Sequence, residues 1–319
     1  MNHDDAGVRW LLASDDPSVR YLTRLDLLEE SERSREVRAD RAAILGGPRV
    51  RSLLSGQRAD GGFGVHWYKK WAGATWRLVS AVELGVPPET PAVRRAAEHV
   101  LSRLPWAHAA PRPVRGRVRV HASVLGNPLG VCARLGLADD LRVARIAESL
   151  ARWQWADGGW NCDPTEEAHH SSFYESLVTL WGISEYFRAT HDPTVGPAVD
   201  RAAEFFLRHR LFRSCRGERV IDARWTRLHY PLYWHYDILQ ALRVLAGSGH
   251  LHDPRAREAI DLVAAKRTSE GTWLAEGRFW HPGVRSAANT DVVDWGLTGP
   301  NEMITLNALR VLRAAGRID

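Results

Sequence analysis

Apolar residues recur along this chain at the three-and-four spacing of amphipathic helices, and almost nowhere at the two-residue spacing of a half-buried strand. The helical stretches are of two kinds. Those at roughly 92–104, 140–154, 196–209 and 255–266 are arginine-rich with one apolar face, the pattern of helices on the outside of a bundle. Those at roughly 17–29, 73–85, 121–136, 171–188, 234–246 and 301–314 hold fewer charges and more small or apolar residues, and are expected to face inward. Helix starts are marked by a capping residue followed by proline at Asp16-Pro17, Thr90-Pro91, Asp192-Pro193 and Asp253-Pro254, and by Gly299-Pro300 for the last. Glycine marks exits at Gly85, Gly136 and Gly247. Asn127-Pro128 is expected to interrupt the third inner stretch. The predicted class is all-α.

One phrase is written three times between these helices. It reads Gln57-Arg58-Ala59-Asp60-Gly61-Gly62-Phe63, then Gln154-Trp155-Ala156-Asp157-Gly158-Gly159-Trp160, then Arg267-Thr268-Ser269-Glu270-Gly271-Thr272-Trp273. A repeated acid-Gly-x-aromatic turn is the signature of a repeat architecture. Glycine permits the left-handed exit from a helix, the acid can take freed backbone N–H groups, and the aromatic packs over the turn. Six inner segments and about six outer ones, joined as consecutive hairpins, then suggest a closed toroid of paired helices, a single domain over 1–319.

The Gln-x-x-Asp-Gly-x-Trp/Phe phrase resembles the repeat of squalene-cyclase-type terpenoid cyclases and protein prenyltransferase β subunits, over nearly the whole chain as a repeat pattern. The stretch Gly158 to Asp163 followed by Ser171 to Glu175, and the stretch Trp234-His235-Tyr236-Asp237-Ile238-Leu239, look like bacterial squalene-cyclase-like proteins. The resemblance implies a single (α/α)6 toroid. Two departures accompany it. The Asp-x-Asp-Asp acid of triterpene cyclases is absent, and those enzymes are about twice as long. The Asp-x-Cys and later His that hold zinc in prenyltransferase β subunits correspond to positions near His169, His170 and Ser171, where neither Asp nor Cys stands.

Composition narrows the function classes. The formal charge is +5 and the pI about 9.4, but the basic residues are nearly all Arg and are spread along the chain, the only lysines being Lys69, Lys70 and Lys266. No basic stripe or reader motif supports a nucleic-acid role. Cys132, Cys162 and Cys215 are far apart and form no CxxC pair, which suits reduced thiols. No apolar run reaches membrane-spanning length, and Met1-Asn2-His3-Asp4-Asp5 lacks the character of a signal peptide, so the expected location is cytoplasmic. The fourteen tryptophans are unusual. Trp67, Trp71, Trp76, Trp106, Trp160, Trp225, Trp234, Trp273, Trp280 and Trp295 fall near helix ends, where they either fill inter-helix turns or line a ligand cavity.

Polar residues at the starts of inner stretches are the candidate chemistry. Segment 162–175 carries Cys162, Asp163, Glu166, Glu167, His169, His170, Ser171, Ser172, Tyr174 and Glu175. Glu175 sits where it can close a capping box with Ser172, or project into a cavity with His170 and Tyr174 as an acid–base group. His235 and Asp237 are expected in the first turn of the next inner helix, where Asp237 is favoured by the helix dipole or pairs with a histidine. Asn301 and Glu302 open the last inner helix. Arg20, Tyr21, Trp76 and Arg77 are expected at two further inner starts, with the arginines paired to Glu175, Asp237, Glu302 or an anionic ligand.

The leading expectation is an enzyme with a central aromatic-lined cavity, acting by acid–base or electrostatic catalysis on a small, possibly isoprenoid, substrate. Its catalytic set is Glu175, Asp237, His170, His235 and Glu302. Its substrate-binding set is Arg20, Tyr21, Trp76, Arg77, Tyr174, Trp234 and Asn301. No cofactor is expected, with zinc on Cys162, His170, His229 and His235 as the minority reading. The alternatives are a non-catalytic binding toroid and a carbohydrate-active enzyme, the latter needing two facing carboxylates. Oligomeric state is left open.

Overall fold

The computed structural model describes residues 3–104, 113–283, 289–296 and 298–318; Trp106 lies outside them. Six helices hold mostly buried residues: α2 (Pro17–Asp26), α5 (Ala74–Glu83), α7 (Ala122–Arg134), α9 (Phe173–Thr190), α11 (Ile238–Gly247) and α13 (Glu302–Ala314). The others are α1 (Ala6–Leu12), α3 (Arg35–Ala43), α4 (Pro48–Leu54), α6 (Pro91–Leu101), α8 (Leu141–Trp153), α10 (Gly196–Arg208) and α12 (Arg257–Ala265). Among the described residues the protein is all-α apart from two two-residue strands, β1 (His281–Pro282) and β2 (Thr290–Asp291), paired in parallel. No helix among the described residues is long and apolar enough to cross a membrane.

The three copies of the repeated phrase close with the same backbone bonds, Arg58 N–H to Gly62 O, Trp155 N–H to Gly159 O and Thr268 N–H to Thr272 O, and the first two share their side-chain bonds as well. Gln57 Nε2 donates to Gly61 O and to Ala92 O on α6, and Gln154 Nε2 donates to Gly158 O and to Ala198 O on α10. Each side chain thus closes its own turn and ties it to the first turn of an outer helix. Gly61, Gly158 and Gly271 have φ of 81°, 101° and 81°, the left-handed region that favours glycine. A Cβ on Gly61 would meet Arg95 O at 2.2 Å, and one on Gly158 would meet Arg201 O at 2.2 Å. The third turn has the same relation to α1: Gly271 lies against the Gly7 amide, and Arg267 Nη2 donates to Asp5 Oδ2. The first helix therefore takes the place beside the third turn that α6 and α10 take beside the first two.

The tryptophans of the second and third phrases reach back ten residues. Trp160 Nε1 donates to Leu150 O on α8, and Trp273 Nε1 to Val263 O on α12. Phe63 has no N–H to offer. There Arg77 supplies the donor, bonding Leu53 O at 2.9 Å and Ser55 O at 3.0 Å, with its guanidinium over the Phe63 ring. Arg77 is the fourth residue of α5; in α9 and α13 the fourth residue is Ser176 or Thr305, each accepting the backbone N–H of the turn tryptophan.

Buried helices pack in sequence: α5 on α7, α7 on α9, α9 on α11, α11 on α13, and α13 on α2 and α1. The chain's last helix therefore meets its first two. The tightest pair is α7 with α9. A Cβ on Gly126 would meet Thr179 Cα at 2.8 Å, and one on Gly182 would meet Gly126 O at 2.3 Å, so glycine lets these backbones touch. Pro128 does not break α7, which runs through it to Arg134; the expected interruption is absent. Helix α11 starts at Ile238, so Trp234 and His235 lie in the turn before it rather than in its first turn.

Candidate functional site

Close packing of α7 on α9 brings their N-terminal ends together. Ser172 is the N-cap of α9 and accepts from the Glu175 amide, but Glu175 does not complete a capping box, since the Ser172 amide donates to Trp160 O. Its carboxylate crosses to α7 instead, where Oε2 accepts the Ser123 N–H at 2.8 Å. The other oxygen, Oε1, lies 3.6 Å from Nδ1 of His121, the N-cap residue of α7. The Cys162 thiol completes a group in which one ligand-type atom from each residue lies within 4.8 Å of the others. The loop carrying Cys162 is stitched to the segment leading into His121 by the Val120 amide, which donates to Asn161 O.

Burial grades across the group: Glu175 is buried, Cys162 half-buried, and the His121 side chain 72% exposed. Burial opposes the charge on Glu175, but hydrogen bonds from His121 and Ser123 outweigh it and hold the carboxyl below its usual range. The bond to Glu175 raises the His121 pKa against partial burial. Burial, then the negative charge of Glu175, pushes the Cys162 thiol up to about 11. Tyr68 joins the group, hydrogen-bonded with Ser123; burial, with the nearby Glu175 and Cys162, raises its phenol. Trp67 packs against Tyr68, and beyond them Lys70 stands over the Trp234 ring at 4.5 Å while Trp234 meets Tyr174 edge-on.

Of the residues expected to act, Glu175 alone belongs to this group together with Cys162 from the metal set. His170 is exposed and packed on His169 rather than paired with Glu175. Asp237 is the buried N-cap of α11, with Oδ1 taking the Gln240 amide and Oδ2 the His229 amide, so its carboxylate serves backbone. Its histidine neighbour is His229, at 3.6 Å, not His235. His235 is sandwiched between Trp234 and Phe279, its Nδ1–H donating to Leu232 O, and burial brings its pKa down to about 4. Glu302 pairs with Arg49 beside Asp16 in a separate cleft, and Asn301 caps α13.

The arginines do not pair with those carboxylates. Arg20 bonds Asp40 and Ser14 O, clamping α2 to α3, and Arg77 is the repeat strut described above, its pKa lowered by burial to about 10. Trp76 is fully buried with Nε1 on Tyr68 O, a core residue rather than a cavity wall. Tyr21 lines a vestibule at the other end of the buried helices. Cys162, His170, His229 and His235 do not converge; among the described residues the one convergent group of three or more His, Cys, Asp or Glu is His121, Cys162 and Glu175. His121, Ser123 and Tyr68 are members of this candidate group that the sequence did not single out. The available signal was His121 at the start of the stretch 121–136.

The space left between the buried helices is small. Tyr230, Pro231, Leu232 and Tyr233 reach between the buried helices, leaving a cavity of about 40 Å³ beside Asn127 and Gln240. The opposite vestibule, about 390 Å³, is floored by the Glu83–Arg243 ion pair and holds Arg134 and Arg188 around Glu185 and Arg310 against Asp26. Compared with known proteins, the chain matches no family model, no curated protein and no solved structure.

Proposed function

We propose that this chain is an enzyme on an (α/α)6 toroid of the terpenoid cyclase and prenyltransferase type, working at the mouth formed by the N-terminal ends of α7 and α9. Three repeat turns with matching bonds, and a last helix that packs on the first two, support the toroid. The observation that carries the function is Glu175: a buried carboxylate with one oxygen fixed by the Ser123 amide and the other presented to His121 and Cys162. Such a fixed charge favours a cationic transition state or draws a proton from substrate. Tyr68, kept protonated, is placed to donate one. His121 exchanges protons with solvent, and Trp67, Tyr174 and Trp234 offer aromatic faces to the substrate body.

The substrate is a small organic molecule held at the mouth. A cavity of about 40 Å³ is far below the roughly 300 Å³ at the small end of ligand pockets, which argues against a long isoprenoid threaded along the axis. The carbohydrate reading loses support because Asp237, the second carboxylate it needs, is spent on two backbone amides. The test is a turnover and native mass-spectrometry screen of small organic compounds, repeated on the first substrate with Glu175→Gln and Tyr68→Phe. Losses of about 10²-fold or more for each are expected; wild-type turnover by Glu175→Gln would remove Glu175 from the chemistry, and compounds that bind without any turnover would leave a binding toroid.

A further inference from the structure

We infer that His121, Cys162 and Glu175 hold one thiophilic divalent cation of the zinc class at this mouth. The inference rests on the mouth being the reactive centre and changes one assignment there, making His121 a ligand rather than a proton-exchange group.

The argument is geometric. A borderline-soft ion takes imidazole nitrogen at 2.0–2.1 Å, carboxylate oxygen at about 2.0–2.2 Å and thiolate sulfur at about 2.3 Å. Tetrahedral placement then sets the donors roughly 3.3–3.8 Å apart. Here they lie within 4.8 Å, with His121 Nδ1 already 3.6 Å from Glu175 Oε1. An ion closes the widest pair by at most about 1–1.5 Å, a movement shared between the exposed imidazole and the loop cysteine. The buried ligand, Glu175, needs no movement to be oriented: the Ser123 amide on Oε2 leaves Oε1 to coordinate. That is the outer-shell support ligating carboxylates commonly receive.

Charge and ligand type select the ion. A thiolate and a carboxylate together balance a divalent cation, so the group is neutral when filled. Thiolate with imidazole favours zinc, cobalt or iron over magnesium and calcium, which take all-oxygen shells. Three protein ligands, Glu175 on the buried side and His121 on the solvent side, leave a fourth position open to water or substrate, the arrangement of catalytic rather than structural zinc. An ion there would supply polarisation of a carbonyl or activation of a bound water. Cys132 is buried elsewhere and Cys215 is exposed, so each serves as an internal control.

Full-length protein stripped with chelator should be titrated with Co²⁺ and followed by the near-ultraviolet thiolate-to-cobalt charge-transfer band and the visible bands of four-coordinate cobalt. The expected result is one equivalent bound. Cys162→Ser should abolish the charge-transfer band, His121→Ala and Glu175→Gln should weaken binding more than about tenfold, and Cys215→Ser should change nothing. His121 is exposed, so its variant keeps the fold, and melting curves report on the other two. Absence of the band, or a band that survives Cys162→Ser, overturns the inference. Turnover that is lost in Glu175→Gln but indifferent to chelator would overturn it while sparing the proposed function. Cobalt bound by all three residues, with turnover untouched by mouth variants, would support it and refute the function.

Discussion

At the scale of single residues, hydrogen-bond accounting decides which polar groups are free to act. Arg77 was expected to anchor a ligand, yet it spends its guanidinium on the carbonyls of Ala72, Leu53 and Ser55. The reason lies in Phe63, which cannot make the indole bond that Trp160 and Trp273 make to the residue ten positions back. Arg77→Ala should cost about 2–4 kcal/mol in urea unfolding, because it strands buried carbonyls. Adding Phe63→Trp should restore about 1 kcal/mol of it; strict additivity of the two changes would refute the compensation. His235 gives a pH prediction. Its folded pKa of about 4 is below the usual histidine value of about 6.5. The unfolded chain therefore binds the extra proton between those values, and stability falls as pH drops through that window and is fully present above it. His235→Phe, measured against wild type from pH 7 to 4, should remove a slope of order 2 kcal/mol; parallel curves would show that His235 charges freely in the fold.

At the scale of elements, the legible part of the sequence was whatever repeats. Inner and outer helices could be told apart by charge, and the acid-Gly-x-aromatic turns marked their joints, because burial periodicity and left-handed glycine are local properties. Gly158→Ala should cost more than about 2 kcal/mol, since it adds left-handed strain to a Cβ at 2.2 Å from Arg201 O; a melting temperature within a degree of wild type would contradict the packing described. What was not legible depends on which neighbour a helix end meets. Glu175 reads locally as half of a capping box with Ser172, but the glycine contact of Gly126 with Gly182 brings α7 close enough for its carboxylate to cap that helix instead. His235 and Asp237 look like partners in sequence, whereas a tight turn before α11 gives Asp237 to the amide of His229.

At the scale of the whole molecule, α1 completes the third unit: it receives the third repeat turn and packs on α13 and α2. Removing residues 1–13 should therefore unfold more than one helix, lowering cooperativity and exposing the 267–273 turn to hydrogen exchange; exchange confined to the new terminus would argue against closure. That long-range seat could not be read from the chain, because Asp5 and Arg267 are adjacent only after folding. The same holds for the candidate site, whose three residues come from a cap, a loop and a neighbouring helix. The most direct measurement is anomalous diffraction at the zinc edge from crystals grown with zinc. The account predicts one peak between the His121 imidazole, the Cys162 sulfur and Glu175 Oε1, at the N-terminal ends of α7 and α9. A peak elsewhere, or none with those three side chains ordered and apart, would contradict it.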